Sequence, residues 1–206
     1  MLVILCGKSA SGKDTVREKL VDMFSYTRFL SVTTRPKREC ETDGKEYRFV
    51  TQKEFQEMDM LESRAYPVTS ENGENGMWLY GTPAEVLDKD KNYVAIKDPD
   101  GTELLKKYYG KENTLVVYLD VPECVRAVRA ENRGSFRKED WDKRAVTDSV
   151  NFEGFEGKAD RIISYKDKCS AEEVANTVEF FRFFKENPGA DESKFRFIGR
   201  EAEYER

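Results

Sequence analysis

The stretch Gly7-Lys8-Ser9-Ala10-Ser11-Gly12-Lys13-Asp14-Thr15 gathers residue types that suit anion chemistry. Gly7 and Gly12 let the backbone turn so that successive N–H groups face one anion. Ser9, Ala10 and Ser11 keep the loop small, and Lys13 supplies a mobile point charge for the outer groups of a polyphosphate. A hydroxyl after the lysine would ordinarily ligate Mg²⁺. Asp14 stands there instead, with Thr15 next. A carboxylate beside a polyphosphate is repelled unless a cation lies between them, so Asp14 is a candidate metal ligand and Thr15 a candidate phosphate contact. The plain alternative is a glycine turn opening a helix, with Asp14 favourable near the positive helix end.

Two further cationic clusters follow. Thr33-Thr34-Arg35-Pro36-Lys37-Arg38, with Tyr47 downstream, offers forked donors and hydroxyls that suit a phosphate monoester. Taken alone, it reads first as a solvated basic loop. Arg133 and Arg144 bracket a charged segment that could close over bound phosphates, or simply form a solvated helical face. The chain has no histidine, which excludes histidine bases, triads and metal ligands.

These residues need elements to position them. Leu2 to Cys6 predicts a buried strand, and Val16, Leu20, Met23 and Phe24 recur at helical spacing. Strand, glycine loop and helix in that order is the setting of a P-loop. Arg28 to Val32 reads as one strand and Glu46 to Val50 as another. Thr51 with Glu54 makes a capping box for a helix to about Met60. Leu61 to Tyr66 and Met77 to Tyr80 predict a long hairpin around Asn72 to Gly76. Thr82-Pro83 predicts the start of a helix to about Asp88. Tyr93 to Ile96 (ending in a turn at Lys97 to Gly101), Thr114 to Leu119 and Arg161 to Tyr165 read as strands. Pro122 opens a helix to about Arg133, and Ser170 with Glu173 caps one to about Lys185.

Strands alternating with helices predict an α/β fold: a parallel sheet with helices on both faces and a β-rich insertion. The 206 residues suffice for one well-buried core. Net charge is −5 with the basic residues dispersed, unlike the concentrated charge of a nucleic-acid binder. No apolar run approaches bilayer length, and Leu2 to Cys6 is too short for a signal-peptide core. Cys6, Cys40, Cys124 and Cys169 share no metal-ligand spacing and read as reduced thiols of a cytoplasmic protein.

The ordered set of motifs resembles the guanylate kinase family, over roughly residues 1–185. The family's S-x-x-T-T-R-x-x-R stretch appears, with a shorter loop, as Ser31-Val32-Thr33-Thr34-Arg35-Pro36-Lys37-Arg38, and its G-K-x-Y as Gly44-Lys45-Glu46-Tyr47. Leu61-Glu62, Tyr80-Gly81-Thr82, Arg133-Gly134 and Lys143-Arg144 complete the series. The resemblance implies a P-loop NTPase core at 1–32, 81–133 and 158–185, an acceptor-binding insertion at 33–80 and a helical lid at 134–157; a charged extension at 186–206 follows. It implies phosphoryl transfer from ATP to GMP or dGMP with Mg²⁺, in a monomer or homodimer that binds neither membrane nor polymeric nucleic acid. By matching position, Gly7, Ser9, Ala10, Ser11, Gly12, Lys13, Asp14 and Thr15 would hold ATP. Ser31, Arg35, Arg38, Tyr47, Glu62, Tyr80 and Thr82 would hold the monophosphate. Lys13, Arg38, Arg133 and Arg144 would act in catalysis, and Asp14 and Asp98 at the metal.

The chain departs from the family at Asp14, at Ile96 and in the length of the 66–77 hairpin loop. Ile96 stands where an aspartate usually contacts guanine, which leaves open a kinase for another nucleoside monophosphate. A non-catalytic binding module of the same fold is the alternative from another class. It typically lacks the lysine and lid arginines, which are present here as Lys13, Arg133 and Arg144.

Overall fold

The computed structural model describes residues 1–39, 41–69, 75–132, 137–164 and 169–191. Strand β1 (Leu2–Cys6) has all five side chains withdrawn from solvent, as a central parallel strand requires. Gly7 follows because nothing larger fits: a Cβ there would lie 2.9 Å from the Leu119 carbonyl oxygen. Helix α1 (Lys13–Phe24) starts from Gly12, at φ 97°, and ends on Ser25, whose N–H reaches the Leu20 and Val21 carbonyls. Strands β2 (Thr27–Phe29), β3 (Val32–Thr33) and β4 (Arg48–Phe49) are short. The Thr51–Glu54 capping box opens α2 (Gln52–Glu57), and β5 (Met60–Thr69) and β6 (Asn75–Pro83) form a long hairpin.

Strand β7 (Tyr93–Ile96) leads into α3 (Pro99–Tyr109), capped by Asp98, and then β8 (Thr114–Asp120). Helices α4 (Glu123–Glu131) and α5 (Lys138–Asn151) and a 3₁₀ turn at Phe155–Lys158 follow. Strand β9 (Arg161–Ser164) and helix α6 (Ala171–Glu186), opened by the Ser170–Glu173 capping box, complete the described elements.

The chain divides into two compact units: residues 1–27 with 91–206, and Arg28–Asp90. One sheet runs β2-β7-β1-β8-β9, with β1 parallel to both β7 and β8 and β8 parallel to β9. Helices α1 and α6 pack against it through Val16, Leu20, Val174, Val178 and Phe181. Each such fully buried apolar side chain contributes about 1.5–3 kcal/mol. Tyr118, Phe152 and Phe155 form an aromatic cluster, with ring centroids 5.5 to 5.8 Å apart. The Arg28–Asp90 unit carries a second sheet, β4-β3-β6-β5. Gly81 lies so close under Met60 and Phe55 that a Cβ would come within 2.9 Å of both.

The α/β class and the parallel sheet agree with the sequence reading, and three local expectations do not. Arg28 to Val32 is not one strand. β2 ends at Phe29, and Val32 begins β3, which pairs with β6 in the other sheet. Thr82-Pro83 does not start a helix. Thr82 Oγ1 donates to Glu62 Oε1 at 3.0 Å, Glu85 pairs with Arg48 at 3.0 Å, and the Ala84 N–H donates to the Asp59 carbonyl. The would-be cap and its acidic partner are thus both engaged in tertiary contacts. Third, Lys97 to Gly101 is not merely a strand end, because Asp98 and Pro99 begin α3. Cys6, Cys124 and Cys169 are unbridged, and Cys40, the 72–74 loop, Tyr165 and most of the tail lie outside the described residues. Among the described residues no helix is long and apolar enough to cross a membrane.

Candidate active site

The glycine loop between β1 and α1 is tightly held. Ser11 is fully buried and its N–H donates to the Lys8 carbonyl at 3.2 Å. Ala10 sits at φ 60°, a left-handed conformation costing an alanine about 1–2 kcal/mol relative to glycine. The Lys13 ammonium folds over the loop and donates to the carbonyls of Gly7 at 2.6 Å and Lys8 at 3.0 Å, and to Ser11 Oγ at 3.3 Å. Burial pushes this amine below the ordinary lysine value, partly offset by the nearby Asp14 carboxylate. Cys6, immediately beneath, has its thiol pushed up to about 11 by burial and is a poor nucleophile. Asp14 is exposed on the first turn of α1, with Oδ1 3.5 Å from the buried Arg17 guanidinium, and Thr15 is exposed beside it.

Helix α4 supplies cations that the sequence reading did not single out. Arg126 is buried and donates through Nε to the Val121 carbonyl at 3.0 Å, and through a terminal nitrogen to the Ser9 carbonyl at 3.2 Å. Arg129, one turn on, donates to the Ser11 carbonyl at 3.2 Å. The visible signal was Arg126, Arg129 and Arg133 at i, i+3 and i+7, a stripe on one helix face. Arg133 itself lies outside the described residues. Arg144 is exposed on α5, and Asp148, one turn further, accepts the Ser9 N–H at 2.6 Å. Asp98 is exposed and caps α3, accepting the Gly101 N–H at 2.8 Å.

The Arg28–Asp90 unit builds its own cationic site. Arg35, whose segment taken alone reads as a solvated loop, is 5% exposed. Its Nε donates to the Tyr80 hydroxyl at 3.1 Å, and its terminal nitrogens donate to the Pro36 carbonyl at 2.8 Å and Glu41 Oε1 at 2.7 Å. The rings of Tyr47 and Phe49 flank it, at 5.9 and 5.5 Å. Hydrogen bonding to Glu41 raises the Arg35 guanidinium, and the same contact holds the Glu41 carboxyl below the usual carboxylate range. Arg38 joins through its backbone N–H, 2.8 Å from Glu41 Oε2, while its side chain is exposed. Ser31 contributes its carbonyl to the Arg48 N–H. Glu62 and Thr82 face each other across the β5–β6 ladder and are hydrogen-bonded. So Arg35, Tyr47 and Tyr80 meet at one point, and Glu62 and Thr82 at another. Glu41, which no motif singled out, ties Arg35 to the Arg38 backbone.

Among the described residues, no three His, Cys, Asp or Glu side chains cluster to form a ready metal site. The oxygens of Asp14, Thr15 and Asp98 are the hard donors that Mg²⁺ takes when the substrate's phosphates and water supply its other ligands.

A parallel sheet whose central strand opens through a glycine loop and lysine into a helix defines a P-loop α/β protein. Residues 1–164 match the family model described as guanylate kinase, and the chain belongs to the guanylate kinase family. It is 33% identical over 156 residues to the guanylate kinase of Helicobacter pylori, covering 70% of each chain. It is 32% identical over 176 residues to that of Rhodococcus jostii, covering 81% of this chain and 80% of the relative. The crystal structure of guanylate kinase from Anaplasma phagocytophilum shares the fold, with a TM-score of 0.58 and 20% identity over 93% of this chain and 87% of that one.

Proposed function

We propose that this chain is a nucleoside monophosphate kinase that transfers the γ-phosphoryl group of ATP to GMP or dGMP, yielding ADP and the nucleoside diphosphate. The family match over residues 1–164 carries this reading. Two separate cationic sites in one chain, at the glycine loop and around Arg35, support it.

An oxygen of the acceptor phosphate attacks the γ-phosphorus, and the bond from that phosphorus to the oxygen bridging the β-phosphate breaks. The acceptor oxygen is already a nucleophile, so a chain without histidine lacks nothing it needs. Catalysis reduces to alignment and charge neutralisation. In this reading the backbone of Gly7 to Gly12 cradles the donor phosphates, and Thr15 lies beside them. Lys13, which rests on the Gly7 and Lys8 carbonyls, exchanges those contacts for the outer phosphates, whose negative charge is the stronger partner for an ammonium. Arg129, Arg133 and Arg144 neutralise the transferring group. Asp14 and Asp98 would hold Mg²⁺, which would supply further positive charge.

Arg35, Arg38, Tyr47 and Tyr80 take the acceptor phosphate, and Ser31, Glu62 and Thr82 take the nucleoside, with Glu62 accepting from the base. The 33–80 segment serves as acceptor domain and 134–157 as lid. The test is coupled ADP release with ATP and Mg²⁺ across ribo- and deoxynucleoside monophosphates. GMP and dGMP should give the highest kcat/KM, and preference for another base would overturn the acceptor assignment.

A further inference from the structure

The contact between α5 and the glycine loop is made by a carboxylate where an anion-binding loop would not be expected to need one. Asp148 Oδ2 accepts the Ser9 N–H at 2.6 Å and lies 3.7 Å from the Arg126 guanidinium. The same guanidinium holds the Ser9 carbonyl at 3.2 Å and the Val121 carbonyl at 3.0 Å. Trp141, two turns before Asp148 on α5, lies against Arg126 with 5.6 Å between guanidinium carbon and ring centroid. Side-chain exposures of 4% for Arg126 and 14% for Asp148 put the pair out of bulk water. There a charge-assisted hydrogen bond is strong and short-ranged. Ser9, α4 and α5 thus meet at one buried ion pair.

Arg144 is four residues before Asp148, so the two side chains leave the helix about 40° apart on neighbouring turns. We infer that Asp148 is a positioning residue. It docks α5 on the Ser9 N–H and Arg126, and thereby sets where Arg144 is presented to the donor phosphates. The inference rests on the phosphoryl-transfer reading and adds to it a fixed mechanical link between lid helix and glycine loop. A carboxylate is required because it must satisfy a backbone donor and a buried cation together, which alanine cannot do and asparagine does only in part.

The test is a double-mutant cycle read in kcat and KM, with helix docking followed separately by fluorescence. The chain has two tryptophans, so in a Trp78→Phe background the emission reports Trp141 alone. Asp148→Ala should red-shift that emission, whereas Arg144→Ala should not. Asp148→Ala should lower kcat about 10- to 100-fold with KM for ATP nearly unchanged, and Asp148→Asn should recover part of the loss. In an Arg144→Ala background, Asp148→Ala should change kcat by less than about twofold.

An equal loss in both backgrounds would mean a structural role only, and would overturn the inference. A lower KM for ATP in Asp148→Ala would also overturn it, by making the carboxylate a competitor of phosphate for the Ser9 N–H. Unchanged Trp141 emission in Asp148→Ala would overturn the docking whatever the activity. Failure of the phosphoryl-transfer reading would appear separately, as a wild-type protein without monophosphate-dependent ADP release.

Discussion

The two cationic sites of this chain solve the same problem in opposite ways. Each has a resident carboxylate. At the glycine loop, Asp148 engages a backbone N–H and the structural Arg126, while Lys13 rests on carbonyl oxygens. In the Arg28–Asp90 unit, Glu41 engages Arg35 itself, the group assigned to the acceptor phosphate. The first site separates the group that does chemistry from the groups that hold the fold. The second loads both tasks on one guanidinium, buried among Tyr47, Phe49 and Tyr80. Separation leaves a cation free to move, and fusion gives a rigid receptor for an anion of fixed shape.

The largest expected effect tests separation. Lys13→Ala should lower kcat by about 100- to 1000-fold, the scale of removing one preorganised charge from a transition state. Its unfolding free energy should fall by less than about 1 kcal/mol. A large loss of stability in chemical denaturation would break the contrast.

Arg35→Ala tests fusion. It should raise KM for the monophosphate about 10- to 100-fold, as expected for loss of a charged hydrogen bond, with KM for ATP little changed. It should also destabilise the protein by about 2 kcal/mol, because the Glu41 carboxylate, 10% exposed, loses the guanidinium and is left with the Arg38 N–H. The exposed Arg38 sharpens the comparison: Arg38→Ala should raise the same KM without the stability loss. If Arg35→Ala proves as stable as wild type, the guanidinium is not doubly employed.

Glu41 gives a smaller effect that depends on pH. Its carboxyl is held down by Arg35, so the unfolded chain binds the proton more readily than the native one. Stability from this contact is full above the ordinary glutamate value of about 4.3, and is lost as pH falls through the lower native value. Denaturation midpoints followed downward from about pH 6 should therefore drop more steeply for wild type than for Glu41→Gln below about pH 4.3. Parallel curves would mean that the Glu41–Arg35 contact contributes nothing to stability.

The smallest effect is a control in the glycine-loop unit. Burial pushes the Asp160 carboxyl up, but hydrogen bonds from Lys106 and the Val116 N–H, with Lys185 nearby, outweigh it and hold the group low. Asp160→Asn should cost about 1–2 kcal/mol of stability and leave both Michaelis constants unchanged. A shifted KM for ATP would mean that fold and chemistry are not separable there.

What could be read in the sequence was what its neighbours determine. The buried strands β1 and β8, the glycine loop and the capping boxes at Thr51 and Ser170 depend on residues within a few positions of one another. Thr82-Pro83 carried an equally good local helix signal, but Glu62, twenty positions earlier, takes its hydroxyl. Helix α3 was missed although Asp98 and Pro99 announce it, because Gly101 in its first turn reads as a strand-end turn. Arg35 reads as a solvated cation until Tyr47, Phe49 and Tyr80 are folded around it. The pairing of Ser9 with Asp148 spans 139 positions and has no local signature at all.

In a kinase of this kind the phosphoryl group leaves ATP for a guanine nucleoside monophosphate and not for water. This is tested most directly by following the label from γ-labelled ATP in the presence and absence of GMP. Label should appear in the β-position of GDP, dependent on GMP, with little inorganic phosphate. Label released as inorganic phosphate at a rate indifferent to GMP would contradict it.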